Sequence, residues 1–515
     1  MWLDYIILGL YALSMIGVAL YTRKRSKSVS DFLLAGKKGL NGWMSAFSYG
    51  TTYFSAVIFI GYAGKFGWGF GLSSIWIGVG NAIFGGLFAW LIMAKRTKNM
   101  TIRLSAKTMP EFFFKRYDSQ FLKIFSSILI FVFLLPYAAS VYNGLGNLFE
   151  MIFGIDGTII IICLALLTAL YLVFGGYFAT SLSDFIQGIV MIFGVGIMFV
   201  CFFTDVNGFE GLNQLTKTGF GFFEDYGDVG FLNSPLVTLI SLILLTSMGV
   251  YGLPQTVHKY YTVRDKKAIK QGMIISTIFA LFIGVIAYFV GGLARLYFAS
   301  ESAFGGVTDN IIPLMLKKVI PTGLMGVIGI LVLSASMSTL ASVSLSSASV
   351  ISVDLYKGVI KKDASDRKVT VSLRIMSFVF VLLSVVIALL NKIFNVTAIA
   401  YLMSLSWGTL AGCFFGPFVI GLYSKKITKT SAIVSMISGL IFTITFIFVF
   451  GLMNCNGNYA FGNILKCGVA LSPLIGVLCM ALSITLTFVI SKFTRKPSDE
   501  IIERAFESNV EGLIN

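Results

Sequence analysis

The amino-acid sequence predicts an all-α, polytopic membrane protein. Hydrophobic residues make up 57% of the 515 residues and charged residues 12%, with a mean hydropathy of +0.89, whereas soluble globular proteins carry about twice that share of charge. Apolar runs long enough to span a bilayer recur along the whole chain. Lys and Arg are concentrated in alternate connections between these runs, as in multi-pass proteins.

The first apolar run has no basic segment before it and no small-residue cleavage site after it, so we expect a retained helix. Hydropathy predicts about thirteen spanning helices in all. These are Leu3–Tyr21, Gly42–Gly64, Leu72–Ala94, Leu122–Tyr142, Thr158–Gly175, Phe185–Phe203, Pro235–Val257, Met273–Tyr297, Gly323–Val350, Ile375–Leu390, Ala398–Tyr423, Ser431–Leu452 and Val469–Ser491.

The distribution of basic residues predicts the orientation. Roughly 32 of the 39 Lys and Arg, among them those of Lys259–Lys270, fall in connections that share one side, and short basic loops remain cytoplasmic. We therefore expect a protein of the cell (plasma) membrane, embedded in the lipid bilayer, with its N-terminus outside and its C-terminus inside. The loop Asp205–Asn233 contains several acidic residues and a single basic residue, Lys217, and is expected outside. Because the net charge of +16 is spread over short loops, no nucleic-acid partner is expected.

The connections contain no room for catalytic machinery. No loop exceeds about thirty residues, too few for a nucleotide-binding domain of ordinary size, which argues against an ATP-driven pump. P-loop, HExxH and clustered Cys/His motifs are absent from the sequence, so an enzyme is not expected. The lone His258 lies in a basic segment where a solvated surface role is expected. Cys455 and Cys467 share one loop and could pair if it faces an oxidising space.

Two predicted spans have the composition of interrupted helices. The second contains the polar run Ser48–Ala56, and the seventh contains Ser247–Gln255, in which Pro254 removes a helix donor. Interrupted helices form transporter sites because their freed backbone groups face a cavity. Glycine and proline in these spans could instead serve close packing or kinks.

The two interrupted spans lie five helices apart, as expected if helices two to six and seven to eleven are inverted repeats. The predicted organisation is a leading helix and cytoplasmic loop (1–41), a first repeat (42–204), an external loop with a second repeat (205–423), and two trailing helices with a cytoplasmic tail (424–515). Polar or amphipathic residues near the breaks are expected to line or gate a substrate cavity, although the aromatic ones could belong to interfacial belts. They are Tyr53, Ser55, Trp76, Tyr251 and Gln255.

The ninth predicted span is rich in hydroxyl groups. At helical spacing Ala335, Ser338, Thr339 and Ser342 share one face, so oxygen atoms converge there as a small hard cation prefers. Such residues also mediate tight helix contacts. Asp184 heads the sixth span, where it indicates either an ion or proton pathway or a helix N-cap.

The spacing of Thr108 and Glu111 is that of a capping box, which predicts a short cytoplasmic helix ending near Tyr117.

Several motifs in order resemble the sodium/solute symporter family, which includes bacterial proline and pantothenate permeases, sodium/galactose and sodium/sialic-acid symporters and animal sodium/glucose transporters. The resemblance covers nearly the whole chain. Its most specific pieces are Met337–Leu340 followed by Asp354–Lys357, Ser183–Asp184 with Gln187 and Met191, and Pro110–Phe112 with Arg116–Tyr117.

This resemblance implies the leucine-transporter-type fold, with two inverted five-helix repeats, and sodium as the coupling ion. The main sodium site is implied to use backbone oxygens of Thr51 and Phe54 with oxygens of Ala335, Ser338 and Thr339. The protein is then a secondary-active transporter, expected to function as a monomer. A channel or a solute sensor is the alternative from another class.

Some sialic-acid symporters hold a second sodium, and the matching positions here are only partly equipped. Asp184 and Ser342 are present, whereas Ala341 replaces a second hydroxyl. The resemblance thus implies a weak or absent second ion, with Asp184 as an exit-path or structural residue.

The substrate is predicted from local similarity. Tyr53 stands where proline-type permeases carry an acid, whereas Thr52–Ala56 and Gly252–Pro254 are most similar to the pantothenate branch. A small carboxylate such as pantothenate or another monocarboxylate would meet the positive end of a half-helix. Proline or another amino acid, a sugar or sialic acid are the alternatives.

Overall fold

The computed structural model describes residues 2–22, 29–34, 39–221, 234–394, 397–455, 457–508, 510 and 513–514. The helices of the first half are α1 (Trp2–Thr22), α2 (Val29–Leu34), α3 (Gly42–Tyr53), α4 (Ala63–Phe70), α5 (Ile75–Gly80), α6 (Lys95–Arg103), α7 (Met109–Tyr117), α8 (Gln120–Phe153), α9 (Gly157–Asp205) and α10 (Phe209–Lys217).

The second half contains α11 (Pro235–Met248), α12 (Pro254–Tyr261), α13 (Lys266–Gly292), α14 (Ala294–Tyr297), α15 (Ile311–Val319), α16 (Met325–Ser349), α17 (Asp366–Phe394), α18 (Ile399–Phe415), α19 (Gly421–Tyr423), α20 (Lys429–Asn454), α21 (Phe461–Ala470), α22 (Ser472–Phe493) and α23 (Asp499–Ile502). The longer π-helical segments are Val57–Tyr62, Asn81–Phe88 and Val350–Ile360.

The burial of the helices identifies the centre and the periphery of the fold. In the helical stretch Met325–Ile360, 89% of the most apolar window is buried, against 22% in α1. Leu10, Leu13 and Leu20 of α1 are each more than half exposed, as lipid-facing side chains are. The fold is therefore that of a multi-pass membrane protein with α16 at its centre.

The count of thirteen spans is not confirmed. In the described part of the chain, ten helices are long and apolar enough to cross a membrane, or eleven if the bent pair α11–α12 is one span. Predicted spans two and three are not separated by a loop, and neither are spans five and six. In each pair the helical stretch turns at a glycine with positive φ, Gly71 (φ 57°) in the first and Gly176 (φ 63°) in the second. Glycine readily adopts a positive φ. Hydropathy does not show whether such a turn separates two spans.

Helices α4 and α13 cross with their backbones in direct contact. A Cβ atom added at Gly67 would lie 2.1 Å from the carbonyl carbon of Gly291, and one added at Gly291 would lie 2.0 Å from the carbonyl oxygen of Ala63. Helix α13 also packs along α3. Helix α13 therefore packs against both α3 and α4, the two helices that flank the segment joining them.

The short helix predicted from the capping box is confirmed as α7, which ends at Tyr117, and its cytoplasmic location stays a prediction. The Glu111 amide donates to Thr108 Oγ1 at 3.2 Å. The Glu111 carboxylate accepts the amide of Lys107 at 2.8 Å, one residue before the position expected of a capping box.

Two predictions concern loops. Cys455 and Cys467 are both free thiols, so the structure does not pair them. Most of the acidic part of the loop Asp205–Asn233 lies at 222–233, outside the described residues.

Candidate functional site

The first interrupted helix begins with α3, which ends at Tyr53. Phe54 has extended backbone (φ −101°, ψ 122°), and helical structure resumes in the segment Val57–Tyr62. The interruption predicted within Thr51–Ser55 is confirmed.

This break frees backbone carbonyl groups, because the amides that would bind them in a continuous helix have other partners. The amide of Ala56 donates to Ser336 Oγ at 3.1 Å, where a continuous helix would direct it to the carbonyl of Thr52. The amide of Val57 donates to Ser55 Oγ at 3.3 Å. The last turn of α3 therefore presents carbonyl oxygens to its neighbours.

Two hydroxyl groups of α16 bind these carbonyl oxygens. Ser338 Oγ donates to the carbonyl of Thr51 at 2.7 Å and lies 3.2 Å from that of Ala335. Thr339 Oγ1 lies 3.2 Å from the carbonyl oxygen of Thr52 and 3.1 Å from that of Ala335. Four predicted sodium ligands thus meet in one buried cluster, joined by the carbonyl of Thr52, which the sequence did not single out.

The cluster offers uncharged oxygen atoms to a small cation. Phe54, the fifth predicted ligand, is the extended residue that makes the break. Hard cations prefer oxygen ligands, and the hydroxyls of Ser338 and Thr339 can rotate their hydrogens away and present lone pairs. The arrangement therefore fits a small monovalent cation such as sodium.

The second interrupted helix runs from α11 to α12. Helix α11 ends at Met248, a 3-10 turn covers Gly249–Tyr251, and Leu253 is extended (φ −86°, ψ 120°) before α12 begins at Pro254. The two helices are bent by 43°. The second predicted interruption is confirmed.

The stretch just before the second break is hydrogen-bonded both to Asn81 and to the first break. Asn81 Oδ1 accepts hydrogen bonds from Thr246 Oγ1 at 2.7 Å and from Ser247 Oγ at 3.1 Å, just before the second break. The hydroxyl of Tyr53, at the first break, donates to the carbonyl of Thr246. The hydrogen bond of Tyr53 therefore joins the two breaks directly.

Four of the five candidate substrate residues lie in the interior. Tyr53, Ser55, Tyr251 and Gln255 are at most 4% exposed, whereas Trp76 is 38% exposed. Within the described part of the chain, Gln255 Oε1 has no hydrogen-bond partner. The assignment of these five residues to substrate stays a prediction.

Two aromatic residues that the sequence did not single out lie beside the first break. The rings of Tyr137 and Trp407 pack edge to face at 5.7 Å, and the ring of Trp407 lies 6.0 Å from that of Tyr53. Among the described atoms, Tyr137 OH and Trp407 Nε1 have no partner. A buried polar group without a partner is costly, so both are candidates to bind solute. No local sequence pattern indicated them, since they lie on different helices.

Asp184 belongs to a buried cluster of charged and hydroxyl groups. It lies in the interior of α9, eight residues after the kink at Gly176, so the alternative that it caps a helix is wrong. Its Oδ2 accepts from Ser48 Oγ at 2.6 Å and lies 3.4 Å from Lys259 Nζ. Lys259, expected in a basic cytoplasmic connection, is 1% exposed.

This cluster reaches the candidate sodium site. Lys259 Nζ donates to Ser342 Oγ at 2.9 Å, and Ser342 Oγ shares a hydrogen bond of 2.9 Å with Thr52 Oγ1. Asp184 and Ser342, the candidate second-ion residues, therefore flank an ammonium group.

The prediction of a solvated His258 is wrong. His258 lies within α12 and is half-buried. Its ring centroid is 5.0 Å from that of Tyr177 and 5.5 Å from that of Tyr261. The helix continues past the apolar run, which hydropathy did not show.

The chain is similar to known transporters. The model of the sodium:solute symporter family matches residues 32–439. The osmoregulated proline transporter OpuE of Bacillus subtilis is 28% identical over 440 residues, covering 84% of this chain and 86% of that protein. The sodium/pantothenate symporter of Haemophilus influenzae is 29% identical over 446 residues, covering 84% and 87%.

Among solved structures, a sodium-coupled sialic acid symporter in a substrate-bound, outward-open state superposes with a TM-score of 0.76 at 20% identity. The match covers 96% of this chain and 98% of that chain. It confirms the leucine-transporter-type fold predicted from the sequence.

Proposed function

Because the chain belongs to the sodium:solute symporter family, we propose that it takes up a small organic carboxylate, such as pantothenate or another monocarboxylate, together with sodium. The observation that supports sodium coupling best is the pairing of Ser338 and Thr339 with the carbonyls of Thr51 and Thr52. These oxygens supply ligands without a fixed negative charge, as suits a monovalent cation that must also leave.

Sodium bound there would couple two parts of the fold. It would join the last turn of α3 to α16. Sodium would therefore favour the conformation in which the two breaks are joined. Linkage is reciprocal: if sodium raises the affinity for solute, solute raises the affinity for sodium by the same factor. Alternating access then moves both together.

The carboxylate is supported by the start of α12. That helix begins at Pro254 and has no side-chain cap, so the positive end of its dipole is available to an anion. Sequence identity does not discriminate between the candidate solutes, since the proline and pantothenate relatives are 28% and 29% identical to this chain.

We further propose the topology that the loop charges indicate, with the N-terminus outside and the C-terminus cytoplasmic. Residues 42–204 and 205–423 form the two inverted repeats, and one chain is the functional unit. The alternation of basic connections and the five-helix separation of the breaks support this organisation.

A solute panel tests the substrate class. The purified protein is reconstituted into liposomes, and uptake of pantothenate, other monocarboxylates, amino acids, a sugar and sialic acid is measured with and without an inward sodium gradient. We expect saturable, sodium-dependent uptake of a carboxylate that lacks an amino group. Sodium-dependent uptake of proline alone would overturn the substrate class and leave sodium symport standing.

A further inference from the structure

Lys259 places a positive charge in the interior of the fold. Its Nζ lies 2.9 Å from Ser48 Oγ, 2.9 Å from Ser342 Oγ and 3.4 Å from Asp184 Oδ2. These oxygens come from α3, α16 and α9, and Lys259 itself comes from α12. Both charged side chains are at most 1% exposed. The ammonium group thus sits among oxygen atoms of three helices.

We propose that the ammonium group of Lys259 acts as a built-in cation in the place of a second sodium ion, so that the transporter couples one sodium ion to each solute. The inference rests on the proposed sodium symport and concerns its stoichiometry. Asp184 and Ser342 are then positioning residues for Lys259 and not ligands of a transported ion.

Charge supports this assignment. A buried carboxylate requires a positive partner, and Lys259 supplies one to Asp184 without any mobile ion. A sodium ion added to the same group of oxygens would leave an excess positive charge in the interior. The cluster of Ser338 and Thr339 contains no charged side chain, so it can accept a sodium ion.

The available space supports it as well. The cavity beside Lys259, which Gln255 and Ser342 also line, has a volume of about 10 Å³. That volume holds roughly one water molecule. A second cation with water ligands therefore has no room while the ammonium group is present.

Removing the ammonium group should expose the site it fills. In Lys259→Gln, Asp184 keeps its negative charge, and the oxygens of Ser48 and Ser342 lose the charged ammonium group that donates to them. Oxygen ligands around a carboxylate attract a hard cation, so sodium should enter. In the double variant Asp184→Asn with Lys259→Gln the charge is gone, and the second site should vanish again.

The experiment measures binding of radioactive sodium to the purified, detergent-solubilised protein, with no solute present. We expect about one sodium per chain for the wild type, about two for Lys259→Gln and about one for the double variant, with the Hill coefficient of sodium binding bounded by the number of sites. Lys259→Met serves as a second single variant should the glutamine variant fold poorly.

Each outcome decides the proposal. Two sodium ions bound by the wild type, or one bound by a folded single variant, would overturn it. Should the single variants fail to fold, the wild-type count decides, and one sodium is the result that supports the proposal. No saturable sodium binding by the wild type would instead contradict the proposed sodium symport, so the two failures are distinguishable.

Discussion

Replacing Ser338 and Thr339 together with alanine is expected to raise the half-saturating sodium concentration for uptake roughly tenfold or more, the equivalent of about 1.4 kcal/mol. The double substitution removes two hydroxyl oxygens from a cluster whose other members are the carbonyls of Thr51, Thr52 and Ala335. Solute uptake at saturating sodium should partly survive. The measurement is uptake against sodium concentration at matched membrane abundance.

The same helix provides a matched control. Ser344 and Ser347 of α16 are also buried, and their hydroxyls have no hydrogen-bond partner among the described residues. Their joint replacement with alanine should leave sodium activation unchanged. If the Ser338/Thr339 variant shows normal sodium activation, or if both double variants weaken it equally, those two hydroxyls are not sodium ligands.

Gly67→Ala is expected to destabilise the fold more than any other conservative change in α4. The new Cβ would lie 2.1 Å from the backbone of Gly291, so α4 and α13 must move apart, and overpacking of this kind typically costs about 1–3 kcal/mol. Helix α13 also packs along α3. Its displacement should therefore also disturb the first break, which follows α3. We expect a lower temperature of thermal denaturation in detergent and several-fold lower membrane abundance.

Gly69→Ala is the control for this substitution. Gly69 lies in the same helix, and an added Cβ there meets no atom within 4 Å. Alanine is also favoured over glycine in a helix by about 1 kcal/mol. This variant should therefore match or exceed the wild type in thermal stability. Equal losses for the two variants would show that the crossing of α4 and α13 is not as close as described.

Much of the site could be predicted from sequence, because its elements leave local patterns. The polar run around Thr51–Ser55 and the glycines before Pro254 indicated both interruptions, and helical spacing placed Ser338 and Thr339 on one face. Each of these signals lies within one helix. The carbonyl of Thr52 was missed because its availability depends on where the amide of Ala56 donates.

The parts that failed depend on contacts between distant segments. Lys259 was counted with the cytoplasmic basic residues, since a lysine just after an apolar run is usually solvated. Its burial follows from Asp184, 75 residues away, which no local pattern shows. Tyr137 and Trp407 were missed for the same reason. The count of spans is not confirmed, because the backbone at Gly71 and Gly176 turns within a helical stretch and without a polar loop.

Accumulation of solute against its own gradient tests the central claim most directly. Proteoliposomes that contain the protein and no other energy source are given an inward sodium gradient, and the internal concentration of the carboxylate found in the solute panel is followed over time. We predict a transient internal concentration above the external one, which collapses when a sodium ionophore dissipates the gradient. Equilibration to the external concentration, at the same rate with or without the sodium gradient, would contradict sodium-coupled symport.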